Sequence, residues 1–324
     1  MNDDQRLLTD MADELFGRFG ATAGISEHWP AIEAVALPML LVAESQGGFG
    51  GSWEDATLVF RLAGYHALSL PVPEAIVAAA VSGRAEGRGT IAGAADGALN
   101  DGSFSGTIHG ICFADGADYV VAPAPGGGSM ILELGSPGVV AEARKNLADE
   151  DRQSVIFSNS AAVQSPLDVH MLGALARVAQ IAGALDAALE KSVAYANERQ
   201  QFGRALARFQ AVQQNLATFA CEAAATNCAA IGAGQAMSRG NAAFEISAAK
   251  IRANRAVGIG TALAHQIHGA IGFTQEYSLH PLTRRLWAWR SEFGSDALWS
   301  ARLGARIVAA GADAFWPDLT ALTD

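Results

Sequence analysis

Positive charge is what this 324-residue chain has least of: 22 Lys and Arg stand against 33 Asp and Glu, a formal charge of −11. That balance argues against nucleic acid or another polyanion as the main partner and leaves room only for local basic sites. Cysteine is also scarce. Cys112, Cys221 and Cys228 fall at no metal-ligand spacing, and an odd number of them reads as reduced core thiols rather than a disulfide framework. Half of the residues are apolar, yet no uninterrupted apolar run reaches the length of a membrane span, so the expectation is a soluble chain with no membrane partner. The first residues, Met1 to Gly20, read as an acidic amphipathic helix without a basic n-region, an apolar h-region or a small-residue cleavage site, and the cytoplasm is the default location. The glycine cluster from Gln46 to Trp53 lacks the lysine and hydroxyl residue of a phosphate loop and follows a helix rather than a strand, so it reads as a helix connection.

What is present divides the chain in three. Leu7–Phe19, Ile32–Glu44 and Trp53–Tyr65 have helical periodicity, Pro71 and Pro73 interrupt, and Glu74–Ser82 is a short Ala-rich helix. Residues 1–86 therefore read as an N-terminal helical domain. Residues 87–166 hold short apolar runs at Gly89–Ala92, Ser105–His109, Tyr119–Ala122, Met130–Leu134 and Ser154–Phe157, separated by Asp-Gly and Pro-Gly turns. With no helix between them they predict a small antiparallel sheet or β-barrel-like middle domain, in which His109 is an ordinary half-buried residue. Residues 167–324 return to helical spacing over 168–199, 205–238, 241–270 and 278–310, a C-terminal four-helix bundle. The fold class is mostly α with a small β domain. Ala-rich faces such as Ala220 to Gly234 predict that the bundle builds an oligomer.

The bundle is interrupted at Glu198-Arg199-Gln200-Gln201-Phe202-Gly203-Arg204-Ala205-Leu206. Gly203 suits a helix end, where a left-handed residue is common. Arg199, Gln201 and Gln210 supply planar donors that a structural turn does not need and a phosphate does. A second stretch closes the next helix pair: His265-Gln266-Ile267-His268-Gly269-Ala270-Ile271-Gly272-Phe273, running on to Arg284-Arg285. The two together, in this order, resemble the acyl-CoA dehydrogenase family. The resemblance is strong from about 168 to 300, fair from Gly106 to Ala122 and weak in the N-terminal helices.

The resemblance implies FAD as cofactor and α,β-dehydrogenation of an acyl-CoA thioester. In that chemistry a carboxylate base removes the α proton, while positioned donors stabilise the developing enolate. It implies that Arg199, Gln201 and Phe202, with Leu206 and Gln210, meet the FAD pyrophosphate and adenosine across a subunit boundary, and that Gln266, Gly269 and Ala270 approach the phosphates. Ala270 stands where relatives carry a second glycine. It also implies an electron-transfer flavoprotein as acceptor.

The departures are sharper than the matches. The family's glutamate occupies one of two places, which here hold Phe293 and Gly173, and neither accepts a proton. Glu292 lies one residue away, about 100° around a helix, and reads as a surface glutamate near Arg290 or as a displaced base. The tryptophan strand and the Thr-Glu-Pro-Gly-like loop of the β domain are missing. These losses resemble the non-catalytic member of paired, α2β2-type bacterial acyl-CoA dehydrogenases, in which a related, glutamate-bearing chain is the partner. The alternatives are a homomeric enzyme that uses Glu292 and a flavin-free scaffold.

Overall fold

The computed structural model describes residues 2–22, 24–135 and 140–321. The chain opens on α1 (Asp3–Phe19), α2 (Ile25–Ala34), α3 (Trp53–Tyr65) and α4 (Val72–Ser82). Ser52 caps α3 and Asp55 returns the bond to its backbone, so the glycine cluster ends in a capping box and is a connection, not a ligand loop. The helix expected over Ile32–Glu44 does not form. α2 stops at Ala34, Ala36 turns left-handed (φ 49°) and Leu37–Met39 makes a single 3₁₀ turn around Pro38. Pro38 has no N–H to donate and its ring would strike the carbonyl four residues back, so periodicity there is overridden.

Strands follow: β1 (Gly89–Ile91), β2 (Ala94–Asn100), β3 (Ser103–Cys112), β4 (Tyr119–Pro123), β5 (Ser129–Glu133), β6 (Val140–Glu142) and β7 (Arg152–Ser165). The five apolar runs fall in β1, β3, β4, β5 and β7. β2, which is mostly exposed Ala, Asp, Gly and Asn, gave no apolar signal. The order is β1-β4-β5-β7-β3-β2, with β6 also on β7. β1 pairs with β4 in parallel, so the sheet is mixed rather than wholly antiparallel. The β2–β3 hairpin lies between them in sequence and serves as the crossover that a helix usually provides. Long β7 holds β3 and β6 along one half and β5 along the other, and the sheet curls around Phe104, Ile108, Met130, Leu132 and Phe157.

The helices resume as α5 (Val169–Glu198), then after a small hairpin, β8 (Gln200–Gln201) and β9 (Arg204–Ala205), as α6 (Gln210–Ser238), α7 (Ala243–His268), α8 (His280–Ser291), α9 (Asp296–Ala310) and α10 (Phe315–Ala321). The fourth expected stretch is thus two helices. It breaks because Phe293 and Gly294 take φ of 51° and 105°, and three side chains hold the break open. Lys250 on α7 donates to the Trp289 carbonyl at 2.8 Å, Asn254 donates to Gly294 O, and Trp299 Nε1 donates to Phe293 O at 2.9 Å.

One hydrophobic cluster joins the N-terminal helices to the bundle through Phe16, Phe60, Ile76, Leu175, Leu185, Leu286 and Trp289. α5 and α6 reach the length and mean apolarity of a membrane span despite their polar residues. The most apolar window of α5 is 89% buried as the core of the bundle, but that of α6 is only 28% buried. Ala220, Cys221, Ala224, Cys228 and Ile231 lie exposed along α6. Cys112 is a core thiol as expected; Cys221 and Cys228 are not.

α3 and α5 cross with their backbones almost in contact. A Cβ added to Gly183 would stand 1.9 Å from Arg61 O, and one on Gly64 would stand 2.0 Å from Gln180 O. Gly183→Ala should therefore force the helices apart and cost about 1–3 kcal/mol or more, read as a lower urea midpoint. Gly232→Ala, where an added Cβ meets nothing within 4 Å, should be neutral or stabilising by up to about 1 kcal/mol. Equal midpoints for the two variants would contradict this account of the crossing.

Candidate functional site

The interrupted corner is a two-residue hairpin. Arg199 leaves α5 in extended geometry, its N–H still bonded to Tyr195 O. Phe202 and Gly203 both take left-handed φ, 51° and 79°, as a tight hairpin turn that matches strand twist demands. Gly203 is a turn residue and not the end of α5, which closes at Arg199. Its left-handed φ was expected but its element was not. The turn lifts Phe202 almost clear of the protein, 91% exposed. Arg204 lies over the Phe209 ring, 4.1 Å to its centre. Arg199, Gln201 and Gln210 are exposed and Leu206 is half-buried at this corner.

The second motif ends α7. Gly269 (φ 64°) terminates the helix, its N–H bonded to His265 O, and Gly269–Phe273 folds back as a 3₁₀ turn. Gln266, Gly269 and Ala270 face solvent. A Cβ on Gly269 would meet nothing within 4 Å, so the backbone there is open to close approach, and the Ala270 methyl closes nothing inside the protein. Tyr195, one turn before Arg199, stacks on His268 at 4.6 Å and meets Tyr277 edge-on at 6.3 Å. Those rings bring both motifs to the same end of the bundle. Exposed guanidinium and amide donors beside open backbone are a donor set that fits phosphates. They have no ligand role within this chain's own core.

The two places expected for a base are neighbours in space. A Cβ on Gly173 would stand 2.4 Å from the Phe293 ring, so the phenyl group occupies the volume that a side chain at 173 would need. Phe293 is 5% exposed, faces His170 edge-on and lies under the Arg177 guanidinium at 5.5 Å. Neither position offers a carboxylate.

Glu292 is not the surface residue near Arg290 that its sequence suggested. It turns inward at the α8–α9 break and accepts from Arg152 Nε at 2.8 Å, Arg177 Nε at 2.7 Å and Asn146 Nδ2 at 3.0 Å. Burial works to raise its pKa, but the two guanidiniums and the bonds from Arg152 and Asn146 prevail and hold the carboxyl well below the usual range. Such a group is a poor proton acceptor. Arg177, fully buried, also bridges Glu74 on α4 at 2.7 Å. Arg152 pairs with Glu150, which in turn accepts from Arg285 at 2.8 Å. Cys112 lies against this network, its thiol pushed up to about 12 by burial. Arg152, Arg177, Glu74 and Lys250 went unnoticed in the sequence, although Arg177 and Lys250 had a signal: each is a lone charge on the apolar stripe of its helix.

With this geometry in hand, comparison with known proteins is specific. The family profile "Acyl-CoA dehydrogenase, C-terminal domain" matches residues 169–308. Acyl-CoA dehydrogenase FadE34 of Mycobacterium tuberculosis is 28% identical over 315 residues, 89% of this chain and 43% of that one. Acyl-CoA dehydrogenase IpdE2 of the same organism is 28% identical over 265 residues, 78% of this chain and 77% of its own. Among solved structures, a chain of the ChsE4–ChsE5 complex from Mycobacterium tuberculosis superposes with a TM-score of 0.84 at 18% identity, over 96% of this chain and 99% of that one. The fold is the three-part arrangement of helical domain, β domain and helical bundle that this solved structure shares. Residues 169–308 match the C-terminal domain of the acyl-CoA dehydrogenase family. The chain spans less than half the length of FadE34.

Two outcomes follow from the buried charges. Glu292→Gln should cost about 3–5 kcal/mol, because it leaves two buried guanidiniums short of a counter-charge. Urea unfolding measures this, and a loss below about 1 kcal/mol would show that the network is not holding the break. Lys250 is wholly buried, which lowers its pKa from 10.5 to about 7. The unfolded chain therefore binds the extra proton across this window. The burial cost is full below about pH 7 and is relieved as pH climbs toward the ordinary lysine value, so stability rises with pH there. Lys250→Met should flatten that rise. An unchanged slope would place the titration elsewhere.

Proposed function

We propose that this chain is a subunit of an FAD-dependent acyl-CoA dehydrogenase that completes the cofactor site of a second, glutamate-bearing chain. The observation that carries the reading is an asymmetry. The donors that the resemblance assigns to FAD phosphates, Arg199, Gln201, Gln210 and Gln266, are exposed, whereas the place expected for the base is a buried phenyl ring and Glu292 is locked between Arg152 and Arg177. FAD, when bound, supplies the hydride acceptor for oxidation of the acyl Cα–Cβ bond. Arg199 and Gln201 neutralise and orient the pyrophosphate, Phe202 reaches into the partner as an apolar anchor, and Gln266 with the Gly269–Ala270 backbone closes over the phosphates. The α proton passes to the partner's carboxylate. The long uncovered face of α6 supports assembly through the bundle. An electron-transfer flavoprotein is the acceptor on this reading.

The ChsE4–ChsE5 neighbour supports the paired form, since it is itself a chain of a two-component complex. A homomeric enzyme with Glu292 as base is disfavoured, because the carboxylate would have to shed two guanidiniums before it could accept a proton. A flavin-free scaffold leaves the exposed Arg199, Gln201, Phe202 and Gln266 set without a purpose.

Purification from the native host, with mass spectrometry of the partner, tests the reading. The complex should be yellow and should turn over an acyl-CoA with a dye acceptor, and this chain alone should not. Arg199→Ala should weaken FAD binding by about 10- to 100-fold, the value of one charge-assisted bond, with the bundle still folded. A yellow isolated chain with full turnover would establish the homomeric enzyme instead.

A further inference from the structure

His265, His268 and His280 gather where α7 ends and α8 begins, close enough for their charges to oppose one another. The His265 ring is clamped face to face on Phe273, 4.0 Å between centres and 12° between planes. Its Nδ1 is buried without a hydrogen-bond partner and faces the backbone at Gly272, where an added Cβ would stand 3.4 Å away. Its Nε2 is not enclosed and meets no partner among the described residues. His268, by contrast, has its Nδ1 on the Ala264 carbonyl at 2.8 Å and its ring on Tyr195. The other ionisable groups that face this pair are Lys191 from α5, the phenols of Tyr195 and Tyr277, and His280 from α8, and Glu198 stands beyond them against Tyr277.

The position of the cluster sets its chemistry. Gln266, Gly269 and Ala270 surround the carboxyl end of α7, where the helix dipole is negative, so a phosphate bound there gains nothing from the helix and needs cations close by. Arg199 is one. A protonated histidine in the last turn is the other cation that this end of a helix favours. Without an anion, burial and then the charges of His268 and His280 keep His265 below its ordinary range. A bound phosphate reverses that balance, because an opposite charge within a few ångströms favours the charged ring.

We propose that His265 is a proton-coupled phosphate ligand: when a pyrophosphate settles over Gln266, Gly269 and Ala270, the imidazole takes up a proton from solvent and donates Nε2–H to it. The proposal rests on the reading of this corner as the FAD phosphate site, and it makes cofactor retention depend on pH. Phe273 serves by holding the ring in register, and the buried Nδ1 leaves Nε2 as the nitrogen that meets the ligand.

The test uses the apo-complex of this chain with its native partner, titrated with FAD. Flavin fluorescence gives the dissociation constant between about pH 6 and 8.5, across the histidine range, and calorimetry in two buffers of different ionisation enthalpy counts protons. Wild type should take up about one proton per FAD at neutral pH, and its dissociation constant should rise with pH by up to about tenfold per unit, the limit for one linked proton. His265→Gln keeps a donor that does not ionise, so it should bind more weakly at pH 6 and lose both the slope and the proton. His265→Phe should do the same without the donor. Arg199→Ala should bind more weakly with the slope intact. A wild-type slope and proton count in His265→Gln or His265→Phe would overturn the proposal while leaving the site reading in place. A complex that takes up no FAD at any pH would overturn the site reading, and this inference with it.

Discussion

The structure depends on a buried guanidinium. Arg177 lies in the middle of α5 with no exposure to solvent, and a charge in that position is tolerated only if every direction offers an acceptor. Glu74 comes from α4, Gln180 from the next turn of α5, and Glu292 from the break between α8 and α9. Glu292 in turn needs Arg152 from β7. Helix, sheet and bundle are therefore tied by one chain of largely buried ion pairs. Apolar packing alone would let α4, β7 and α8 slide against α5. The pairs set their register.

The same network accounts for the absence of a free carboxylate where Gly173 and Phe293 meet. A carboxylate turned inward to satisfy Arg177 and Arg152 leaves its successor, Phe293, to fill the space over Gly173, and the left-handed backbone at Phe293 and Gly294 is held there by Lys250, Asn254 and Trp299. Five side chains, four from α5, α7 and α9 and Arg152 from β7, stabilise this corner. The opposite end of the bundle is arranged the other way. Its hairpin projects Phe202 into solvent, its Arg199, Gln201 and Gln266 side chains are exposed, and the face of α6 is short of cover. On the reading proposed above, that surface has its complement on another molecule.

Much of this was legible from the chain itself, for physical reasons. Helical periodicity located α1, α3 and α5 to α7 because apolar residues recur at helical spacing where each meets a common core, α5 on nearly every side. Glycine and proline placed the turns around the sheet, and the paired motifs at Arg199–Gln210 and Gln266–Ala270 carried the family resemblance that the profile over residues 169–308 bears out. Local pattern misled where local conformation lost to sterics or to a distant partner. Pro38 cancelled a helix that its neighbours favoured, β1 found a parallel mate across a hairpin, and Glu292 met two arginines far from it in sequence.

Sequence alone thus determined the composition of each face, the family resemblance and which donors stand at the two motifs, since these are properties of side-chain type and short spacing. Only the tertiary structure decided that Gly173 and Phe293 share one volume, that the carboxylate beside them is neutralised by Arg152 and Arg177, and that His265 stands with one nitrogen sealed and one free. Each of these depends on groups brought together from separate elements. Burial, which sets the charge a group carries, exists only after folding.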